Sequence, residues 1–384
     1  MEVVADAARL DAATGGDVLH LEVGQPSSPP PAPALDAARR ALESADTLGY
    51  TAAAGMAELR EAISRRYHTR HGVEVSPERI VVTVGASGAC VLAFLALFEP
   101  GDAVGVAVPG YPCYRQMLRA FGAQVVEIPA RQDVNFAVGV DMLERAGSGP
   151  DGPLRGLVLA SPANPTGTVI SPQALAEVAT WCSANDVWLL SDEIYDGITF
   201  GAATATAAGF SDTVTVGSFS KYFSMAGWRL GWMVVPESLL EAVDRLQQNL
   251  FLCAPSIAQH AALGALSDAA SGELDAHVAR YRRNRDRLME GLGELGLTTV
   301  APAEGAFYVY IDTSPWHDDS RSLCAEWLRR LHVAATAGVD FDPTEGHRWV
   351  RLSVSGSEAT VDATIERLRG WRGRRGHGGR TAHP

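Results

Sequence analysis

The chain predicts an α/β fold. A three-layer domain would carry helices on both faces of a mostly parallel, seven-stranded sheet, and a smaller α+β domain would be built from both chain ends. Three observations lead there. Between residues 35 and 261, short apolar runs alternate with amphipathic stretches, the pattern of strands buried on both faces and joined by crossover helices. After Pro255 the text changes to long helical stretches and isolated strands. At 384 residues, 47% hydrophobic and 20% charged, the chain has ordinary globular composition and length for two full cores.

The seven strand-like runs are 80–84, 103–108, 125–128, 156–160, 187–190, 214–217 and 230–235. Between them lie helices with start signals. Ser171-Pro172, ahead of 173–184, joins an N-cap hydroxyl to a proline at the first helical position. Farther on, 258–266 and the charged 275–295 read as helices. A strand at 305–311, a helix at 322–331, a strand at 350–353 and a last helix at 360–369 follow. The expected organisation is an N-terminal arm opening the small domain (1–34), a large domain (35–261), the rest of the small domain (262–369) and a tail (370–384). The tail is rich in Gly and Arg with little to pack, which predicts disorder.

Bulk properties exclude several function classes. A net charge of −13 argues against general nucleic-acid or membrane-surface binding, because anionic phosphates would be repelled. The ten His show no HExxH spacing, so no metal is expected. Cys90, Cys113, Cys182, Cys253 and Cys324 are odd in number, widely spaced and without a CxxC pair, which fits reduced thiols in a cytoplasm. The first residues lack the basic start and apolar core of a signal peptide, and the most apolar stretch, 89–98, is too short to span a bilayer. A cytoplasmic protein is expected.

Chemistry concentrates on one residue. Lys221 is the only lysine; every other member of the 32 Lys and Arg is Arg. Arg stays protonated, whereas Lys can lose its proton in an apolar pocket and attack a carbonyl carbon. The flanking text, Ser218-Phe219-Ser220-Lys221-Tyr222-Phe223, is not surface-like, so Lys221 reads as a Schiff-base lysine. Other strand ends add to it in order. Gly85-Ala86-Ser87 runs from a strand into a helix, where amides and a hydroxyl suit a phosphate, although a tight turn explains the glycine equally well. Tyr111 could stack on a flat heteroaromatic ring, or simply occupy a turn. Asn164, between prolines in Ser161-Pro162-Ala163-Asn164-Pro165-Thr166-Gly167, is a rigidly placed donor. Asp192 ends a buried strand in Ser191-Asp192-Glu193-Ile194-Tyr195. There it would meet a cation such as a protonated pyridine nitrogen, or cap a following helix. Tyr195 could bond a phenolic oxygen on the same ring, and Ser218 and Arg229 are plausible phosphate ligands.

As an ordered set these motifs resemble the class I/II aminotransferase family of pyridoxal 5′-phosphate (PLP) enzymes, with the aspartate-aminotransferase fold. The likeness runs from about Leu21 to Arg369 and is strongest in 163–167, 191–195 and 218–232. It implies that Lys221 bonds the cofactor's aldehyde and later shuttles a proton, and that Asp192 pairs with the ring nitrogen. Asn164 and Tyr195 would bind the ring hydroxyl while Tyr111 stacks on the ring. Ser87 with the Ala86 amide, Ser218 and Arg229 would hold the phosphate, and Gly85 and Ser220 complete the cofactor-binding set. Tyr50 matches a tyrosine that reaches the neighbouring subunit's phosphate, which implies a homodimer with shared sites. Arg351 and Gly24 fall where the family binds the substrate α-carboxylate. One departure stands out. The family's TPG and glycine-rich loop are replaced here by Thr336-Ala337-Gly338-Val339-Asp340-Phe341-Asp342-Pro343, beside the substrate side chain.

The resemblance implies transfer of an amino group from an L-amino acid to a 2-oxo acid, passing through pyridoxamine phosphate. The scaffold alone leaves β-elimination or another PLP reaction open. A PLP-binding regulatory domain of the kind fused to DNA-binding modules is the remote alternative.

Overall fold

The computed structural model describes residues 2–44, 48–149 and 152–378. Its strands are β1 (Leu19–His20), β2 (Ile80–Thr83), β3 (Ala103–Val108), β4 (Gln124–Pro129), β5 (Gly156–Ala160), β6 (Trp188–Asp192), β7 (Thr213–Ser218), β8 (Gly231–Val234), β9 (Tyr308–Asp312), β10 (Val333–Ala334), β11 (Thr336–Ala337) and β12 (Trp349–Ser353). The helices are α1 (Glu2–Thr14), α2 (Ala32–Glu43), α3 (Ala57–His71), α4 (Gly85–Leu97), α5 (Pro112–Ala120), α6 (Val140–Gly147), α7 (Pro172–Ala184), α8 (Leu240–Leu250), α9 (Ser256–Ala265), α10 (Asp268–Glu294), α11 (Ser320–Leu331) and α12 (Glu358–Gly378).

The central sheet has seven strands in the order β2-β8-β7-β6-β5-β3-β4. Its apolar runs are continuous because both faces are buried. Leu157, Leu159 and Leu189 pack with Leu143 of α6 and Leu175 and Val178 of α7. Their sequence neighbours Val158 and Leu190 point the other way, onto Phe94 of α4, Leu118 of α5 and Val243 of α8. β8 alone runs against the rest, antiparallel to both β2 and β7. The sheet is therefore mostly parallel, as the alternation of elements predicts.

The smaller part is assembled from both chain ends. β1 pairs in parallel with β10, and an antiparallel sheet in the order β11-β12-β9 lies beside it. A seam joins this part to the large sheet. The Gly305 amide donates to the Gly167 carbonyl at 2.9 Å and the Ala306 amide to Ile198 at 2.9 Å. Gly167 is required there: its φ is +67° and a Cβ would lie 2.8 Å from the Ala303 Cα.

The helix after Pro255 that the sequence starts at 275 begins earlier, at Asp268, with Ser267 ahead of it. The tail also differs. The last helix does not stop at 369 but continues to Gly378. Trp371, only 3% exposed, packs against Trp316 and Trp327 at ring-centroid distances of 5.6 and 6.3 Å, and its indole N–H donates to Glu326. One buried indole supplies the apolar area that composition averaged over the tail conceals. Residues 379–384 of the predicted tail lie outside the described residues. Trp371→Ala is expected to lower stability by about 3 kcal/mol in denaturant unfolding and to leave cofactor absorbance unchanged.

Candidate active site

The site forms where strands of the large sheet end. β6 stops at Asp192, β7 at Ser218, and Lys221 follows three residues later. The Lys221 Nζ donates to the Gly24 carbonyl at 2.6 Å and lies 5.7 Å from the centre of the Tyr195 ring. Burial pushes its pKa down, the Arg351 charge lowers it further, and Asp192 opposes them; the outcome is about 8. The amine is thus half neutral near pH 8, as a nucleophile and proton acceptor needs.

Asp192 is buried, and burial pushes its pKa up against the hydrogen bonds it accepts. One oxygen accepts the Tyr114 hydroxyl and the other the Ile194 amide at 3.0 Å. No helix follows it, so helix capping is not its role. A buried carboxylate whose donors are a phenol and an amide still favours a cation. Tyr195 is buried too, its hydroxyl 2.6 Å from that of Tyr308.

A cradle for an anion lies alongside. Gly85 and Ala86 open α4, with the exposed Ser87 one residue on. A Cβ on Gly85, whose φ is +68°, would sit 2.6 Å from the Arg229 Nη2, so the guanidinium lies against the helix start. A Cβ on Gly231 would lie 2.8 Å from the Ala86 amide nitrogen, so β8 closes the floor. Ser218 is buried, and its Oγ accepts the Ser220 amide at 3.0 Å. Two helix-start amides, hydroxyls and a guanidinium make a site for a phosphate.

The substrate side is built from the smaller part. Arg351, on β12, is 6% exposed. Its Nη1 donates to the Asn164 Oδ1 at 3.0 Å, and its Nη2 to the Glu22 carbonyl at 2.5 Å and the Thr336 hydroxyl at 3.2 Å. Its Nε has no hydrogen-bond partner. Among the described residues no carboxylate comes within ion-pair distance of it. Gly24 is close-packed, since a Cβ there would fall 2.0 Å from the Tyr308 hydroxyl oxygen.

The structure therefore brings Gly24, Asn164, Asp192, Tyr195, Lys221 and Arg351 together, with Gly85, Ala86, Ser87, Ser218, Ser220 and Arg229 at the cradle. Tyr111 is 40% exposed and meets Tyr114 edge-on at 5.5 Å. Tyr50 stands apart, 86% exposed. Sequence reasoning missed Tyr114, which touches Asp192, and Tyr308, which touches Tyr195, Gly24 and Arg351. Tyr114 had a signal: it follows Tyr111 by three residues, in the first turn of the helix that Tyr111 precedes.

Comparison with known proteins agrees with this geometry. The family model described as "Aminotransferase class I and II" matches residues 16–368. A valine–pyruvate aminotransferase of Mycobacterium tuberculosis is 45% identical over 361 residues, 93% of this chain and 92% of its own. An aspartate/prephenate aminotransferase of Thermus thermophilus is 36% identical, covering 92% of this chain and 91% of its own. The crystal structure of an aminotransferase from Mycobacterium tuberculosis superposes with a TM-score of 0.93 at 44% identity, covering 97% of this chain and 96% of that one. Fold and site define a fold type I PLP enzyme. The chain belongs to the class I and II aminotransferase family, and its reaction is PLP-dependent transamination between an amino acid and a 2-oxo acid. The residues fit the cofactor: a buried lysine amine for the aldehyde, a buried carboxylate for the ring nitrogen, and the Gly85–Arg229 cradle for the phosphate.

Because Lys221 is the only lysine, its titration is readable without interference from other side chains. In the cofactor-free protein, the isotope-labelled dimethylamine NMR signal that Lys221→Ala removes is expected to titrate near pH 8; the labelled N-terminal amine, which ordinarily titrates in the same range, keeps its signal in that variant. A midpoint near the ordinary 10.5 would show the amine to be solvated.

Proposed function

We propose that this chain transaminates L-amino acids with small, uncharged side chains, using a pyruvate-like 2-oxo acid as partner, and that it works as a homodimer in the cytoplasm. The observation carrying this reading is Arg351, a buried guanidinium with an unpartnered Nε and only neutral acceptors on its other nitrogens. Such a cation calls for a carboxylate, and every amino acid and 2-oxo acid has one in the α position. The charges that bear on Lys221 are Arg351, Asp192 and Arg229, each already matched to a substrate carboxylate, a ring nitrogen or a phosphate. The cavity beside Asn164 is lined largely by apolar and aromatic side chains, Tyr111, Phe136 and Val138 among them, which suits a small uncharged substrate side chain. The 45%-identical relative is named for valine and pyruvate, which agrees.

PLP, when bound, supplies a carbonyl for an amine to attack and a ring that takes up the electrons of the Cα–H bond. Arg351 and the Gly24 backbone hold the substrate carboxylate, which orients Cα toward the lysine. The Lys221 Nζ, neutral above about pH 8, accepts the Cα proton and returns it on the far side of the transfer. Asp192 keeps a proton on the ring nitrogen, and Tyr114 and the Ile194 amide hold that carboxylate in place. Asn164 and Tyr195 bond the ring hydroxyl. Ser87, the Ala86 amide, Ser218 and Arg229 anchor the phosphate.

Support for the dimer comes from the surface. Tyr50, Leu48, Leu250 and Leu252 are 86, 49, 50 and 59% exposed. The loop after Tyr50 is tied to α8 and α9: Gln247 donates to the Ala53 carbonyl at 3.3 Å and Gln259 to the Thr51 hydroxyl at 3.0 Å. These apolar side chains thus share one region, from which Tyr50 would reach the second copy's phosphate. Free thiols throughout, several of them buried, agree with a reducing compartment. No helix among the described residues is long and apolar enough to cross a membrane.

Lys221→Ala is expected to abolish turnover and the yellow colour of the loaded enzyme. Borohydride reduction of the wild type should place one pyridoxyl group on Lys221, and a label on the N-terminal amine instead would overturn its role. For substrate class, kcat/KM for L-valine or L-alanine with pyruvate should exceed that for L-aspartate by at least about tenfold, the effect of ~1.4 kcal/mol. A preference for aspartate would defeat that assignment.

A further inference from the structure

The segment that departs from the family's usual text, 336–343, begins beside Arg351. β11 pairs with β12, with Thr336 opposite Arg351. The residues that follow are held from the other side, by two arginines of the large-sheet half. Arg115 of α5, 4% exposed, donates from Nη1 to the Phe341 carbonyl at 2.8 Å and from Nη2 to the Asp340 carbonyl at 2.9 Å. Arg131, just beyond β4, grips Asp342 at two points: Nε to Oδ2 at 2.7 Å and Nη2 to Oδ1 at 3.2 Å. Asp342 is itself 2% exposed and accepts the Thr344 and Glu345 amides at 2.9 and 3.1 Å. Between these anchors, the Phe341 ring centre stands 4.9 Å from the Arg351 Cζ, with that of Tyr308 at 4.5 Å.

We propose that Arg115 and Arg131 are positioning residues that latch Phe341 against Arg351, so that the carboxylate-binding guanidinium is held in place from the large-sheet half of the molecule. The chemistry explains the choice of an aromatic neighbour. Arg351 is buried and needs stabilisation, but a carboxylate beside it would compete with the substrate. A ring quadrupole attracts the cation without neutralising it. The ring does this only while it stays put: Tyr310 and Trp349 of the small part pack in one buried cluster with it, and its backbone is gripped from the large-sheet half. The backbone carbonyls of 340 and 341 are taken by Arg115, and Asp342 by Arg131, both reaching across. Loosening the latch lets Phe341 withdraw and gives the guanidinium other orientations. The α-carboxylate is bound in the ground state and the transition state alike, so the loss falls on KM rather than kcat.

This inference rests on Arg351 as the carboxylate site, and the experiment separates the two. Arg131→Gln, Phe341→Leu and, as reference, Arg351→Gln are compared in the PLP-loaded enzyme. Arg131→Gln keeps a side-chain donor beside Asp342, which also retains its bonds from the Thr344 and Glu345 amides, so the protein is expected to fold, at some cost in stability. Both latch variants should raise KM about five- to tenfold, for the amino acid and the 2-oxo acid equally, with kcat within about twofold and with unchanged cofactor absorbance and affinity. If Arg351→Gln raises KM while both latch variants stay within about twofold of wild type, the latch is wrong. It is equally wrong if the latch variants lower the melting temperature or kcat and leave KM alone. If Arg351→Gln itself leaves KM unchanged, the carboxylate assignment fails first.

Discussion

The site depends on keeping an amine and a carboxylate out of water at the ends of neighbouring strands. Burial drives Lys221 and Asp192 toward their neutral forms, the amine downward in pKa and the carboxyl upward. For Lys221 this is useful, because a neutral amine attacks carbonyls and takes protons. For Asp192 it is a threat, because only the charged form can hold a proton on a ring nitrogen. The structure treats the two groups differently. Asp192 receives donors, from Tyr114 and the Ile194 amide, which favour its anion. Lys221 faces a single carbonyl acceptor, Gly24, and the cationic Arg351 and Arg229, which discourage its protonation. One dry environment thereby serves two opposite ionisation needs.

Such a pairing requires the segments after β6 and β7 to stay in register. The sheet supplies part of this, since β6 and β7 pair in parallel with Asp192 opposite Val216. The rest comes from α3. Asp196, four residues past Asp192, accepts hydrogen bonds from Arg66 at 2.7 Å and Arg70 at 3.0 Å. The Arg66 guanidinium also lies about equally close to the rings of Tyr222 and Phe223, at 5.1 and 5.0 Å, directly after Lys221. A single cation thus ties both catalytic loops to one helix. The Tyr222 ring packs on the backbone of Gly197, where a Cβ would fall 2.5 Å from it. The two loops can approach only because that residue is glycine.

What the sequence made legible was whatever is local or ordered along the chain. The alternation of elements gave the layers, and the strand-end motifs, taken in order, gave Lys221, Asp192, Asn164 and Tyr195. The lone lysine was visible by composition alone. Tertiary pairings were not visible: Tyr114 with Asp192 spans 78 residues, Tyr195 with Tyr308 spans 113, and Asn164 with Arg351 spans 187. No periodicity encodes which of many buried tyrosines will meet. The reversal of β8 had a readable cause, since the chain between Ser218 and Gly231 holds no crossover helix and a parallel return needs one. The start of the tail escaped because composition averages over residues, whereas one tryptophan meeting two others decides whether that stretch packs.

Arg351 shows why the aromatic surroundings are more than packing. A buried charge is ordinarily matched with its opposite, and the buried Asp342 with Arg131 follows that rule a short distance away. At Arg351 the same solution would do double harm. The carboxylate would occupy the position the substrate needs, and its charge would raise the pKa of Lys221, undoing part of what Arg351 does to the amine. Neutral acceptors from Asn164, Glu22 and Thr336 satisfy two of its nitrogens, and two ring faces stabilise the charge without cancelling it. The cation stays buried, ordered and uncompensated. That combination serves substrate recognition and lysine activation together, and it explains why ordinary ion pairs are placed one layer out, on the segment that carries Phe341.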